Sequence, residues 1–333
     1  MDYNLILNKI FNKKNLNVDE STFIFNKIMS GELDDIKITS ILIGLKMKGE
    51  VKEEIIGAAK VMREKSLKIN SPENTIDTCG TGGDMKDTLN ISTSAAIVAA
   101  SAGVKIAKHG NRSVSSKSGS ADMLEKIGYK ISNDINELEK SLNNNNFCFL
   151  FAQNHHSAMK NVINVRKNLG TRTIFNLLGP LTNPANAKKQ LLGVYSKDLV
   201  NIHCNCLKEL GAEKALVVYG LDGLDEITLS DKTYVNELKD NKIIEFIFDP
   251  KEHGYDLINI EDIKGGDPEY NAKCFQKMIA GNYKKFQEIV EVNAGMAIYL
   301  SGIVSNLGEG FSLAKKVIEE GITKNFVNLL VNE

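Results

Sequence analysis

The sequence predicts an α/β protein, in which a small N-terminal helical domain precedes a larger domain with a mostly parallel sheet flanked by helices. Residues 1–70 place apolar residues at helical spacing and show no strand pattern. From Thr75 onward, short β-branched or apolar runs alternate with helical patterns. Glycine-rich and hydroxyl-rich loops follow successive runs, which is where ligands bind in open α/β sheets.

The composition is that of an ordinary soluble globular protein. The chain has 333 residues, 42% of them hydrophobic and 25% charged, with a formal net charge of -1. It has no basic excess of the kind that nucleic-acid binding requires. We see neither a signal-peptide pattern nor an apolar run long enough for a bilayer, so we expect a cytoplasmic protein without a membrane partner. Its cysteines are scattered and predict no disulfide framework.

The N-terminal region predicts several short amphipathic helices. Apolar spacing indicates helices around residues 24–29, 38–45 and 55–62, with breaks near Gly31 and Gly49. Such helices cannot bury all of their apolar faces alone, so they must pack on the larger domain or on a second subunit. Residues 70–74 predict a hinge into the next domain.

The larger domain is predicted as alternating strands and helices followed by a hairpin and closing helices. The predicted strands are 75–78, 104–107, 147–152, 190–195 and 214–219. The predicted helices between them are 90–102, 120–127, 134–143, 157–168 and 198–210. Residues 233–238 and 243–248 predict an antiparallel hairpin, and 283–303, 308–320 and 323–331 predict three closing helices.

A glycine-rich loop follows the first predicted strand. Asp77 to Asp84 reads Asp-Thr-Cys-Gly-Thr-Gly-Gly-Asp, and a helix of small residues opens near Asn90. Glycines let the backbone approach a ligand, and N–H groups in such a turn and at a helix N-terminus attract an anion. The loop predicts a phosphate or pyrophosphate site, with a plain tight turn as the alternative. A divalent cation would relieve the repulsion between the Asp84 carboxylate and phosphate.

A second polar loop follows the predicted strand 104–107. Lys108 to Asp122 reads Lys-His-Gly-Asn-Arg-Ser-Val-Ser-Ser-Lys-Ser-Gly-Ser-Ala-Asp. This density of cations, hydroxyls and glycines favours phosphate binding over a merely solvated loop. Because both loops run from a strand to a helix, we expect them at the same carboxyl edge of the sheet.

Other polar groups follow later strands. His155 and His156 come after 147–152, and Arg166 lies in the next helical pattern; solvated loop and helix residues are the alternatives. Asp225 and Glu226 follow the strand 214–219. Paired carboxylates at a carboxyl edge favour Mg²⁺, although they can also cap a turn.

Three segments resemble signature segments of the anthranilate phosphoribosyltransferase family: Cys79 to Asp84, Lys108 to Asp122, and Arg172 to Ala185. The likeness covers essentially the whole chain and implies a fold like that of nucleoside phosphorylases and this class of phosphoribosyltransferases. It also implies a helical, dimer-forming domain at 1–70, with a returning segment near 170–188. Residues 71–333 then form the α/β domain that binds phosphoribosyl pyrophosphate and metal.

The resemblance implies that the phosphoribosyl group of 5-phosphoribosyl 1-pyrophosphate passes to the amine of anthranilate, in the pathway to tryptophan. It implies two Mg²⁺ ions per subunit, held by Ser92, Asp225 and Glu226, with Asp84 acting through water. Cleavage should pass through an oxocarbenium-like state, so the protein mainly stabilises the departing pyrophosphate and aims the amine. We assign no catalytic acid or base and keep His109 as a candidate proton carrier.

The resemblance also implies the contacts to each substrate. The positions that match contacts to phosphoribosyl pyrophosphate are Gly80, Gly83, Asp84, Thr88, Asn90, Ile91, Ser92, Thr93, Lys108, His109, Gly110, Asn111, Arg112, Ser113, Val114, Ser115, Ser116 and Ser120. The positions that match contacts to anthranilate are Gly80, Asn111, His156, Arg166 and Gly179. Substrates held by different domains imply that the domains close on binding.

Two other functions fit the same fold. A pyrimidine nucleoside phosphorylase also acts at ribose C1′, but the segment Lys108 to Asp122 favours the transferase. A non-catalytic nucleic-acid-binding relative should be basic and should lack the metal and anthranilate residues, and this chain meets neither condition.

Overall fold

The computed structural model describes residues 1–113 and 117–332. Four helices form the N-terminal part of the chain, and the predicted segments 24–29, 38–45 and 55–62 lie within the last three of them. They are α1 (Tyr3–Phe11), α2 (Val18–Met29), α3 (Asp35–Lys48) and α4 (Lys52–Lys65). A capping box starts α2, because the Asn17 side chain accepts from the Glu20 N–H while the Glu20 carboxylate accepts from the Asn17 N–H.

In the described part of the chain, seven strands form one mixed sheet in the order β3-β2-β1-β4-β5-β6-β7. The first five strands are parallel, and the last two form the predicted antiparallel hairpin. The strands are β1 (Ile76–Gly80), β2 (Ile106–Gly110), β3 (Phe147–Phe151), β4 (Lys189–Gly193), β5 (Lys214–Gly220), β6 (Thr233–Lys239) and β7 (Lys242–Phe248).

Helices cover both faces of the sheet, as the sequence predicts. Those after β1 are α5 (Ile91–Ser101), α6 (Ser120–Lys126), α7 (Ile135–Asn145), α8 (Ala152–His155), α9 (Ile163–Leu169), α10 (Phe175–Leu178), α11 (Asp198–Glu209), α12 (Pro268–Ile279), α13 (Lys284–Ser301), α14 (Leu307–Glu319) and α15 (Ile322–Asn332). Short 3₁₀ turns are Ser157–Asn161, Gly179–Leu181, Pro250–His253 and Ile260–Ile263. No helix among the described residues combines the length and apolar character needed to cross a membrane.

The structure differs from the predicted elements in several places. Helices α1, α8 and α10 were not predicted individually. The strand predicted at 104–107 runs from Ile106 to Gly110, because its pairing with β3 continues through Gly110, so Lys108 and His109 are strand residues. The helix predicted at 157–168 is a 3₁₀ turn followed by α9. Helix α12 was not predicted, although Asp267 caps it by accepting from the Tyr270 N–H.

The N-terminal helices share a core with the larger domain. Buried side chains such as Ile28 and Ile55 belong to one apolar cluster with Leu178 of α10 and with Leu192 and Val217 of the sheet. The other face of the sheet packs on α5, α13 and α14. The N-terminal helices therefore bury part of their apolar surface against the larger domain, which was one of the two partners expected for them.

Two glycines bring α13 and α14 into close contact. A Cβ atom at Gly295 would lie 2.5 Å from Cδ1 of Phe311 and 2.7 Å from its backbone nitrogen. A Cβ atom at Gly310 would lie 2.4 Å from the Gly295 carbonyl oxygen. The two backbones can approach this closely only because neither position carries a side chain.

Gly295→Ala should destabilise the protein by about 1–3 kcal/mol, because the added methyl group overpacks a contact between two backbones. Urea unfolding followed by circular dichroism measures this change. Gly308→Ala is the matched control, since its Cβ would meet only the Asn306 side chain at 3.4 Å. That control should be neutral or stabilising by up to about 1 kcal/mol. Equal midpoints for Gly295→Ala and the unmodified protein would contradict the packing argument.

Candidate active site

The loops after β1, β4 and β5 meet at the carboxyl edge of the sheet. Gly80 ends β1 opposite Gly193, which ends β4, and the Thr81 N–H donates to the Gly193 carbonyl at 2.9 Å. A Cβ atom at Gly193 would lie 1.5 Å from the Asp225 carbonyl oxygen, and one at Gly80 would lie 2.6 Å from Oδ2 of Asp225. Glycine at these strand ends lets the segment after β5 lie directly against them.

The glycine loop, residues 80–88, turns sharply at this edge. Gly82 and Gly83 have φ values of 66° and 79°, and two residues with side chains, Met85 and Asp87, also have positive φ. The far end of the loop is held by the Asp87 carbonyl, which accepts from the Gly265 N–H at 2.7 Å. The loop is therefore fixed at both ends.

Asp225 and Glu226 place two carboxylates beside this loop. Oδ2 of Asp225 accepts from the Gly82 N–H at 2.7 Å, and Oε1 of Glu226 accepts from the Ser92 N–H at 3.1 Å, at the start of α5. Burial, together with the charge of Asp84, raises the pKa of Asp225 to about 7. Burial and the charge of Asp225 raise the pKa of Glu226 to about 8. Clustered buried carboxylates of this kind favour a cation.

The carboxylate set fits a hard divalent cation in an open site. Among residues 1–113 and 117–332, no group of three or more His, Cys, Asp or Glu side chains forms a closed metal site. Mg²⁺ commonly takes one or two carboxylates and completes its shell with water and phosphate oxygens. Asp225, Glu226 and the Ser92 hydroxyl supply ligands of this type.

Lys108 brings a buried positive charge beneath the carboxylates. Its Nζ donates to the Thr78 carbonyl at 2.6 Å and approaches Oγ of Ser92 at 3.4 Å. Burial lowers the pKa of Lys108, while the charges of Asp77 and Glu226 oppose this shift. Lys108 therefore offsets part of the negative charge that the structure concentrates at this edge.

The second loop is closed by Asp122. Its Oδ2 accepts from the N–H groups of Ser113 at 3.0 Å and Gly119 at 2.9 Å. Arg112, expected to bind phosphate, donates to Asp122 at 3.1 Å and pairs with both oxygens of Glu125 at 2.6 Å. A phosphate group must compete with these carboxylates for Arg112. Val114, Ser115 and Ser116, which were predicted to bind the pyrophosphate substrate, lie outside the described residues.

Asn90 braces the second loop against the rest of the domain. Its Nδ2 donates to the Ser118 carbonyl at 3.2 Å, and its Oδ1 accepts from Nδ2 of Asn271 in α12 at 2.8 Å. The other predicted residues of this region lie on neighbouring elements. Gly80 ends β1; Asp84 and Thr88 lie in the glycine loop; Ile91, Ser92 and Thr93 open α5; Gly110 ends β2; Asn111 follows β2; Ser120 opens α6.

Neutral histidines lie next to the carboxylate site. The rings of His109 and His156 have centroids 5.2 Å apart, and their Nε2 atoms, like that of His155, have no hydrogen-bond partner among the described residues. Burial lowers the pKa of His156 to about 4 and that of His109 well below its ordinary value. His109 and His156 hydrogen-bond to the carbonyls of Gly179 and Thr182. Both imidazoles are therefore neutral near pH 7 and can accept hydrogen bonds.

His155 contacts the segment that leaves the N-terminal helices. Its Nδ1 lies 2.7 Å from the Leu67 carbonyl oxygen, and its own carbonyl accepts from the Leu67 N–H at 2.8 Å. These two contacts tie α8 to the segment that leaves the N-terminal helices. The function of His155 visible in the structure is to hold the chain at this junction.

Arg166 of α9 is a cation without a matching anion. Its guanidinium is partly buried, lies 5.6 Å from the Phe175 ring centroid, and pairs with no carboxylate among the described residues. Burial lowers its pKa. Gly179 leaves open space, since a Cβ atom there would meet nothing within 4 Å. A guanidinium in this state suits a planar carboxylate ligand.

The sequence reading missed Arg172 as a functional candidate. Its Nη2 donates to the Gly83 carbonyl, and its guanidinium carbon lies 4.2 Å from the Tyr195 ring centroid. Arg172 stands 89 residues from Gly83 along the chain. In the sequence, Arg172 appears only as the first residue of the third signature segment. That position does not reveal a contact with the glycine loop.

Two family models match the chain, and both come from the glycosyl transferase family. The helical bundle domain of that family matches residues 4–66, and its a/b domain matches residues 72–324. Anthranilate phosphoribosyltransferase from Thermoanaerobacter sp. (strain X514) is 47% identical, over 95% of this chain and 94% of the relative. The enzyme of that name from Alkaliphilus metalliredigens is 45% identical, over 98% of this chain and 96% of the relative.

Solved structures give the same similarity. Anthranilate phosphoribosyltransferase from Thermus thermophilus has a TM-score of 0.92 and 36% identity, covering 98% of both chains. The enzyme from Saccharomyces cerevisiae in complex with PRPP and Mg has a TM-score of 0.89 and 27% identity, covering 99% of this chain and 97% of that one. The yeast enzyme in complex with 4-fluoroanthranilate has a TM-score of 0.87 and 27% identity, covering 99% of this chain and 98% of that one.

Asp225→Asn should stabilise the metal-free protein at pH 8 by about 1–3 kcal/mol and much less at pH 5. Unfolded carboxyl groups have pKa values of about 4, whereas those of Asp225 and Glu226 are raised to about 7 and about 8. Between pH 4 and these values the unfolded state has lost protons that the folded state keeps, so the free energy of unfolding falls as the pH rises, until the folded carboxyls are also ionised.

Urea unfolding in the presence of a chelator, at both pH values, measures the effect. Asp256→Asn, at an exposed carboxylate, is the control and should stay within about 0.5 kcal/mol of the unmodified protein. If Asp225→Asn increases the free energy of unfolding no more at pH 8 than at pH 5, the raised pKa of Asp225 is wrong.

Proposed function

We infer, because this chain belongs to the anthranilate phosphoribosyltransferase family, that it transfers the phosphoribosyl group of 5-phosphoribosyl 1-pyrophosphate to anthranilate. The products are N-(5-phosphoribosyl)anthranilate and pyrophosphate, and the reaction serves L-tryptophan biosynthesis. Relatives at 45–47% identity over almost the whole chain support this function. They do not favour the pyrimidine nucleoside phosphorylase or the nucleic-acid-binding alternative.

The observation that carries the proposal is the alternation of side chains at the end of β2. Lys108 contacts Ser92 and lies near Glu226, whereas its neighbour His109 faces His156. Successive residues of a strand point to opposite faces of the sheet. The end of β2 therefore places a charged group, Lys108, next to a neutral group, His109. This suits a reaction that brings a phosphorylated sugar to an aromatic amine.

We propose that the glycine loop, the start of α5 and the second loop hold phosphoribosyl pyrophosphate through the residues predicted above. Ser92, Asp225 and Glu226 would hold two Mg²⁺ ions per subunit, with Asp84 acting through water. The high pKa values of the two carboxyls and the open ligand set support a metal there. Bound Mg²⁺ would supply Lewis-acid neutralisation of the pyrophosphate charge.

We propose that Arg166 binds the anthranilate carboxylate through its planar fork, with Asn111, His156, Gly179 and Gly80 lining the same pocket. The amine would then bond to C1′ with its lone pair as pyrophosphate leaves with the electrons of the C1′–O bond. The neutral imidazoles of His109 and His156 can accept hydrogen bonds from the amine and orient it. Loss of the amine proton follows bond formation, so no general base is assigned.

The domain division proposed is 1–70 with the returning segment near 170–188, and 71–333. Closure of these domains would exclude water from the reacting atoms. A phosphorylated substrate of this charge does not cross a bilayer, so we place the enzyme in the cytoplasm.

The reaction is tested by following loss of anthranilate fluorescence with purified protein, Mg²⁺ and phosphoribosyl pyrophosphate. Loss that requires all three additions supports the proposal. If a folded protein gives no loss but cleaves a pyrimidine nucleoside with phosphate, the phosphorylase alternative is correct instead.

In the same assay, Arg166→Ala should raise the KM for anthranilate about 10- to 100-fold and leave the KM for phosphoribosyl pyrophosphate nearly unchanged. The expected size follows from losing a charge-assisted pair of hydrogen bonds, about 1.5–3 kcal/mol. Lys167→Ala removes an exposed cation from the next position of α9 and should behave as the unmodified enzyme. An unchanged anthranilate KM for Arg166→Ala would remove Arg166 from the proposed pocket.

We also propose that the N-terminal helices form a homodimer through α1 and α3. Ile10, Phe11, Ile43, Gly44 and Met47 are among the residues that line an apolar groove of about 370 Å³ on these helices. Met47 and the nearby Ile36 are 79% and 80% exposed, which is unusual for large apolar side chains. A second copy of the chain would bury them.

Met47→Glu should convert a dimer to a monomer, or weaken it at least tenfold, because it would bury an unpaired charge at an apolar interface. Light scattering across a concentration series measures the mass. Leu257→Glu places the same charge on the larger domain, at a side chain that is 48% exposed, and should leave the mass unchanged. A Met47→Glu protein that stays dimeric would place the interface elsewhere.

A further inference from the structure

Arg172 joins the segment after α9 to the glycine loop. Its guanidinium lies over the face of the Tyr195 ring and donates to the Gly83 carbonyl. Tyr195 is itself tied to the loop, since its N–H donates to Oγ1 of Thr81 at 3.1 Å. Arg172 therefore lies between a fixed aromatic ring and a backbone carbonyl of the loop. None of the substrate contacts proposed above includes it.

The charge of Arg172 is not used in an ion pair. No carboxylate among the described residues lies within ion-pair distance of it, in contrast to Arg112, which pairs with Asp122 and Glu125. The partners of Arg172 are instead the ring of Tyr195 and the carbonyl of Gly83, and both contacts fix the plane of the guanidinium. This arrangement suits a residue that holds a backbone segment in place.

Gly83 is adapted to this contact. Its φ of +79° is a conformation that glycine adopts readily, and a Cβ atom there would lie 2.9 Å from Nη2 of Arg172. Any side chain at this position would push the guanidinium away from the carbonyl. Both the turn and the contact with Arg172 therefore favour glycine at position 83.

The middle of the glycine loop has few other outside contacts. Met85 is 84% exposed with φ of 58°, and the Lys86 N–H donates within the loop to Oδ1 of Asp84 at 3.1 Å. The next outside anchor along the backbone is the Gly265 N–H, which reaches the Asp87 carbonyl. Without Arg172, the backbone of the segment 83–86 would be tethered mainly at its ends, with the Asp84 side chain, which hydrogen-bonds to Asp225, as the remaining tie.

We propose that Arg172 is a positioning residue that holds the glycine loop in the conformation that receives the pyrophosphate substrate. Arg172 lies six positions after Arg166, beyond Gly170, which caps the end of α9. One short segment therefore carries the proposed anthranilate contact and the tie to the glycine loop, and can couple the two binding events. The identity of the ligands rests on the proposed function, whereas the tie itself does not.

Hydrogen–deuterium exchange of the peptide covering residues 81–90, in ligand-free protein, tests the tie directly. Arg172→Ala should exchange at least threefold faster there than the unmodified protein, and Arg172→Lys should be intermediate because it keeps the charge but loses the planar fork. Lys197→Ala is the matched control, since it removes another cation from an aromatic ring, Tyr234, at 4.7 Å. It should leave the exchange of this peptide unchanged.

Steady-state kinetics supply the second readout. Arg172→Ala should raise the KM for phosphoribosyl pyrophosphate about tenfold, with a smaller change in the KM for anthranilate. A raised KM with unchanged exchange would make Arg172 a direct ligand contact and overturn the positioning role. Unchanged exchange and unchanged kinetics would overturn it as well. If the unmodified protein transfers no phosphoribosyl group, the proposed function fails, while the exchange experiment still decides the tie.

Discussion

The site depends on the cost of burying two adjacent carboxylates at the end of the sheet. Asp225 and Glu226 lie where the loops after β1, β4 and β5 converge. Their pKa values are raised because burial disfavours the charged forms, as do the charge of Asp84 beside Asp225 and that of Asp225 beside Glu226. The surrounding structure offsets this cost with the Gly82 and Ser92 N–H groups and with the buried ammonium of Lys108. The remaining excess of negative charge favours a cation, and a bound cation would support the pyrophosphate binding proposed above.

The same edge of the sheet separates two kinds of chemistry over a short distance. Next to the charged half, His109 and His156 are kept neutral by burial, although the backbone carbonyls that accept from their rings oppose this lowering of the pKa. These neutral histidines support the proposed binding of a flat ligand with one carboxylate, together with the Arg166 guanidinium, which pairs with no carboxylate among the described residues. Lys108 and His109 are successive residues of β2, so the geometry of a strand fixes the distance between the two halves independently of loop conformation.

Much of the fold and of the site could be predicted because their signals are local. The strands, the hairpin and the covering helices follow from apolar periodicity, and the two polar loops follow from glycines and hydroxyls beside predicted strands. The prediction was less accurate where pairing decides the outcome: β2 extends to Gly110 because it pairs with β3, so Lys108 and His109 are strand residues. The role of Arg112 as a phosphate ligand stays a prediction from its polar loop and from the family resemblance, whereas its pairing with Glu125 is a contact that the sequence does not reveal.

The sequence by itself determined the fold class, the two polar loops and the carboxylate pair, because each depends on residues that are neighbours along the chain. The tertiary structure decided which charges meet. The contact of Arg172 with Gly83, that of Asp225 with Gly82 and the brace from Asn271 to Asn90 each join residues far apart in sequence. Such contacts depend on how the strands are ordered and on how closely glycine lets two backbones approach. Neither property can be read from composition or periodicity, so only the folded chain reveals them.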